Sequence, residues 1–183
     1  MQRIPKLEET QASPETVELL DTVKRQMGGV PNILGTMARS PAALRGYLGL
    51  AGAVAGGRLS AKLREQIALA VAGSNNCDYC ASVHTALGGS HGLAKDELHH
   101  NLHARSSDPK VQAVLGFVSK IVAARGHVAD EDIAAVRREG FDDEQIVEIV
   151  ANTALNIFTN YFNHVAETEI DFPVVRTGAA AAA

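Results

Sequence analysis

Apolar residues recur at helical spacing along nearly the whole chain, and no run alternates with the period of two that marks a strand. The clearest case is Leu59 to Ala72, where Leu63, Ile67, Ala70 and Val71 form one stripe and residues 67–72 are almost continuously apolar, as in a buried helix. Start and stop signals divide the pattern. Ser13-Pro14 opens a helix that runs to Met27 before Gly28-Gly29, Ser60 is an N-cap, Asp108-Pro109 and Asp142-Asp143 are caps, and Gly126 and Gly140 are stops. The pattern predicts helices at about 14–27, 33–39, 41–56, 60–73, 77–89, 94–104, 108–125, 129–139 and 142–164. The expected fold is all-α, with about eight or nine helices in one domain.

Composition supports one core. The chain has 183 residues with no Pro/Gly/Ser-rich linker, so residues 1–175 read as a single helical domain followed by a low-complexity tail at 176–183. Hydrophobic residues make up 46% but aromatics only 4%, with no Trp, so Ala, Val and Leu must fill the core, which suits closely packed helices. A net charge of -4 without a basic stripe excludes nucleic acid as an expected partner. No apolar run approaches the ~20 residues that span a bilayer, and the first nine residues carry no apolar leader, so the expectation is a cytoplasmic protein in a reducing compartment, with no membrane partner.

That compartment changes the reading of the only two cysteines, Cys77 and Cys80. A CxxC pair in a reducing environment is redox-active or metal-binding rather than a structural staple, because a disulfide closing so short a loop stabilises little. Cys77, Cys80 and His84 stand at i, i+3 and i+7, which puts all three on one helix face. The segment Gly73-Ser74-Asn75-Asn76 ends the preceding helix, and Ser74, Asn75 or Asn76 can cap the next, placing Cys77 in its first turn. There the helix dipole favours a thiolate, so this argument makes Cys77 the more acidic thiol. His84 can take the Cys80 proton or, as imidazolium, stabilise its thiolate. Glu65 opens the apolar helix before the pair, and two readings stand: a solvated first-turn carboxylate, or a partly buried general base.

The pattern Glu65, eleven residues, Cys77-x-x-Cys80, three residues, His84 resembles the AhpD-like alkylhydroperoxidase branch of the carboxymuconolactone decarboxylase superfamily. Val30-Pro31-Asn32, Ser40 to Leu44, Leu155 to Ala166 and Ile170-Asp171-Phe172-Pro173 look like the flanks of its longer peroxidase-related subgroup. The resemblance, over about 25–173, implies an AhpD-like helical bundle, a homo-oligomer such as a trimer or hexamer, and thiol peroxidase activity on a small hydroperoxide, with a dithiol or reductase protein as partner and no cofactor or metal. It makes Cys80 the nucleophile, Cys77 the resolving thiol, and Glu65 with His84 the proton relay. One departure stands out. Tyr79 lies where the best-characterised AhpD pattern has a histidine, and a phenol titrating near pH 10 cannot replace an imidazole at neutral pH.

Two alternatives remain: a zinc site built on Cys77, Cys80, His84 and Glu65 or another histidine, and a decarboxylase of the same superfamily in which the cysteines are incidental. His91, His99, His100 and His103 sit among Lys95, Asp96, Glu97 and Arg105 and read as a solvated helix. His127 reads as a loop residue. His164 falls in the aromatic, Asn-rich segment Phe158 to His164, expected to be a subunit interface or a pocket wall.

Overall fold

The computed structural model describes residues 2–178; the part of the tail at 179–183 lies outside the described residues. Within them the chain is all-helical: a 3₁₀ turn at Glu9–Gln11, then α1 (Pro14–Met27), α2 (Asn32–Met37), α3 (Pro41–Ala55), α4 (Ala61–Ser74), α5 (Asp78–Ser90), α6 (Lys95–Leu102), α7 (Pro109–Ala123), α8 (Asp130–Arg138) and α9 (Asp143–Ala166). Every helix boundary falls within two residues of the sequence expectation. The caps explain why: Ser13, Ser40, Ser60 and Asp142 each accept the N–H of the third helical residue, and Gly28, Gly126 and Gly140 take positive φ where the chain leaves a helix. No described helix is long and apolar enough to cross a membrane.

α4 is the central element because Ile67 to Ala72 leave its second half no polar face. Gln66 through Ala72 are all buried, and the helix packs against α5, α6, α7 and α9. On one side Leu69 and Ala72 join Val23, Leu34, Met37, Leu44 and the two cysteines; on the other Ile67 and Val71 join Val114, Leu115, Val118, Val136 and Ile149. The α4–α6 approach is so close that a Cβ on Gly73 would stand 1.7 Å from the carbonyl oxygen of Leu102. Neither backbone can yield without breaking its own helix. Gly73→Ala is therefore expected to cost about 3 kcal/mol, read as a lower denaturant midpoint with an unchanged slope.

After α9 the described residues form no further helix but stay engaged. Asp78, the first residue of α5, accepts from Thr177 N and Oγ1 (both 2.9 Å) and pairs with Arg176, while Ser82 Oγ accepts from Val175 N (2.9 Å). Residues 170–177 thus strap the cysteine-bearing helix, two residues beyond the endpoint read from the sequence.

Candidate active site

The turn between α4 and α5 sets the geometry of the cysteines. Asn76 adopts a left-handed conformation (φ 55), Cys77 N donates to Ala72 O at 2.9 Å, and regular helix begins only at Asp78. Cys77 is therefore the N-cap itself: its Sγ accepts the Cys80 N–H at 3.4 Å, the capping role expected of Ser74, Asn75 or Asn76. Both thiols are free and buried, with 1% and 3% of their surface exposed. On the other side of the pair, Asn163 Nδ2 of α9 donates to Cys80 Sγ at 3.3 Å.

These contacts separate the two thiols in acidity, in the order opposite to the dipole argument. The Cys77 S–H bonds to Cys80, which pulls the Cys80 thiol down from 9.0 to about 7 against the cost of burial; His84, Asn163 and Asn160 help. The same bond, and burial, push Cys77 up. Position at a helix start loses here to a thiol, two amides and an imidazole aimed at the second sulfur.

Glu65 and His84 meet across the α4–α5 contact, with His84 Nδ1 and Glu65 Oε2 2.8 Å apart and side chains only 20% and 15% exposed. The solvated-carboxylate reading of Glu65 is thus set aside: its side of α4 lies against α5, not water. Burial alone would lower the His84 pKa, but the carboxylate, by charge and hydrogen bond, and the Cys80 thiolate outweigh it and raise it. Cys80, His84 and Glu65 all line one cavity of about 240 Å³. Cys77 does not reach it; it borders a shallow depression on the other side with Asp78, Asn163, His164 and Thr168.

Tyr79 is a tether, not a relay. Its hydroxyl donates to Asp171 Oδ1 (2.8 Å) and accepts from Ile33 N (3.2 Å), while Asp171 Oδ2 accepts from Asn32 N (2.8 Å). Burial drives its pKa far above the ordinary 10.0. The Pro31-Asn32 lead-in, the residue between the cysteines and Ile170-Asp171-Phe172 are therefore one hydrogen-bonded unit. Tyr79→Phe leaves a buried N–H and a carboxylate short of partners, an expected loss of about 2 kcal/mol in denaturant unfolding, with the Cys80 reaction rate changed less than about threefold.

Several site residues were invisible to motif reasoning. Tyr47 of α3 lines the cavity without a hydrogen-bond partner among the described residues, and burial, then Cys80 and Glu65, raise its pKa to about 12. Asn152, Asn156, Thr159 and Asn163 form a polar stripe on the inner face of α9; their spacing of four, three and four is the available signal. The outer face of the same helix exposes Val147, Val150, Phe158, Tyr161 and Val165. His164 is exposed, and His99 and His103 meet edge to face at 5.1 Å. Among the described residues no three His, Cys, Asp or Glu side chains are grouped to hold a metal ion, which weighs against the zinc alternative.

An all-helical domain with a CxxC pair at the head of one helix and a Glu–His pair bridging to the helix before it has the AhpD-like fold. Residues 41–121, which contain all four of these side chains, match the model of the carboxymuconolactone decarboxylase family. The structure resembles an uncharacterised peroxidase-related protein with an alkylhydroperoxidase AhpD core from Ralstonia eutropha JMP134, at 25% identity and TM-score 0.85 over 93% of this chain and 92% of that one. It also resembles a peroxidase-related protein from Silicibacter sp. TM1040 (22%, TM-score 0.79, 91% and 88%) and the debrominase Bmp8 bound to 2,3,4-tribromopyrrole (19%, TM-score 0.77, 92% and 91%). No curated protein matches this chain. The protein is an AhpD-like member of the carboxymuconolactone decarboxylase superfamily.

Proposed function

We propose that this protein is a thiol-dependent hydroperoxidase in which Cys80 attacks the peroxide, Cys77 resolves, and His84 with Glu65 manages the proton. The observation that carries the reading is the convergence of a thiol of lowered pKa and a carboxylate-held imidazole on one cavity. In the resting site the Cys80 proton resides on His84, and Glu65 holds the imidazolium through Nδ1. The thiolate attacks the terminal peroxide oxygen, the S–O bond forms as O–O breaks, and the departing alkoxide takes the proton from His84 to leave as an alcohol. Asn163 Oδ1, buried and without a partner, can accept from the resulting sulfenic O–H. Cys77 then attacks the Cys80 sulfur; its proton leaves with the expelled hydroxide as water, and the disulfide forms.

An external dithiol attacks that disulfide at Cys77, on the side away from the peroxide cavity, and expels Cys80, the better leaving group because its thiol is the more acidic. The exposed apolar stripe of α9 supports a homo-oligomer built on that helix. The test is steady-state consumption of cumene hydroperoxide with dithiothreitol as reductant, with mass spectrometry for a Cys77–Cys80 disulfide when the dithiol is withheld. Turnover with the disulfide supports the reading. Protein that consumes no peroxide and keeps both thiols overturns it.

A further inference from the structure

The cavity that holds Cys80 is elongated, and its two ends carry opposite charge. At the inner end stands the Cys80 thiol against Asn163. At the other end a chain of contacts fixes Arg64: its Nη1 donates to Leu59 O, Leu59 N donates to Glu148 Oε2 (3.0 Å), and Glu148 O accepts from Asn152 Nδ2 (2.8 Å). Asn152 and Asn163 both line the cavity, and eleven residues of helix separate them by about 16 Å. Arg64 lines it too, half-buried, and among the described residues it forms no ion pair: the Leu59 carbonyl is its one partner, leaving most of its five donors unused. The other charges on the cavity are accounted for, since Glu65 is paired with His84 and the thiolate is Cys80 itself. The Glu148 carboxylate beside Leu59 is occupied by the N–H groups of Arg58 and Leu59. Between the ends most of the remaining lining is apolar: Ile33, Leu34, Ala51, Val54 and Leu87 from the other helices and Leu155 from α9 itself.

From this arrangement we infer that the cavity takes an anionic, amphiphilic hydroperoxide, with the peroxide at Cys80, an aliphatic or aromatic body along the α3–α9 wall, and a terminal carboxylate bound by Arg64. The inference rests on the peroxidase reading for the reacting end alone. A free guanidinium at the rim of an apolar slot gains charge-assisted, bidentate bonds from a carboxylate and nothing from its ester.

Two measurements test the inference. In the first, medium-chain ω-hydroxy carboxylic acids, unreactive product mimics, and their methyl esters are titrated calorimetrically into reduced wild type, Arg64→Gln and Arg64→Lys. The acid is expected to bind at least about tenfold more tightly than the ester to wild type, equally to Arg64→Gln, and with part of the preference restored by Arg64→Lys. In the second, the matching ω-hydroperoxy acids and esters are turned over: Arg64→Gln raises KM for the acid about tenfold, leaving kcat and the ester unchanged. Equal binding of acid and ester by wild type, or equal losses on both in Arg64→Gln, overturns the anion site. If the acid binds selectively but neither hydroperoxide is consumed, the anion site stands and the peroxidase reading falls.

Discussion

Cys80→Ser is expected to abolish peroxide turnover, by about 10³-fold or more at pH 7, because the variant keeps the cavity, the imidazole and the amides but loses the one thiol that, among the described residues, faces them. Cys77→Ser should behave differently. It also loses turnover, since no thiol remains to resolve the sulfenic acid, yet its first encounter with peroxide still consumes one equivalent. A serine hydroxyl at the α5 N-cap can accept the Cys80 N–H as Cys77 Sγ does, so the helix start survives the change. It also donates a hydrogen bond toward Cys80, so the thiolate keeps a partner, and the first-turnover rate should fall by no more than about tenfold. Stopped-flow single-turnover kinetics beside the coupled assay separate the two. Equal behaviour of the two variants in the single turnover would contradict the assigned roles.

The second large effect is that of Glu65→Gln on the pH profile. In the native site the carboxylate raises the His84 pKa, and the imidazolium adds to the Cys77 hydrogen bond that brings Cys80 down to about 7. The amide keeps the shape and one hydrogen bond but removes the charge, so burial, which lowers His84, is opposed by the Cys80 thiolate alone and the imidazole is expected to be mostly neutral at pH 7. Loss of the cation then raises the Cys80 pKa. The midpoint for iodoacetamide alkylation of Cys80 should move upward by about one unit, and the rate at pH 7 should fall about tenfold, whereas at pH 10, where either thiol form is ionised, the two proteins should react alike. An unchanged midpoint would remove Glu65 from the relay.

Much of this architecture is written in short-range signals. The caps Ser13, Ser60 and Asp142 and the stops Gly28, Gly126 and Gly140 are local, so the helices they bound could be read directly, and the all-apolar Ile67 to Ala72 announced the central helix. The i, i+3, i+7 spacing of Cys77, Cys80 and His84 was equally legible. What could not be read depends on contacts distant in sequence. Glu65 reaches His84 only because α4 and α5 pack along their length; its spacing alone favoured the solvated reading. The acidity order of the thiols turns first on the Cys77 S–H aimed at Cys80, with help from His84 and from Asn163, 83 residues away, and the dipole argument, which sees only the helix backbone, gave the reverse. Tyr79 looked like a defective relay residue until Ile33 and Asp171 were found on its hydroxyl. Arg64 and Tyr47 carry no motif at all; only the cavity singles them out.

The central claim is that Cys80 is the thiolate that peroxide oxidises. The most direct measurement treats reduced Cys77→Ser protein with one equivalent of cumene hydroperoxide in the presence of dimedone and maps the adduct by peptide mass spectrometry. A single dimedone adduct on Cys80, formed faster as pH rises through about 7, is the predicted result. Peroxide left unconsumed, with Cys80 recovered as free thiol, would contradict it.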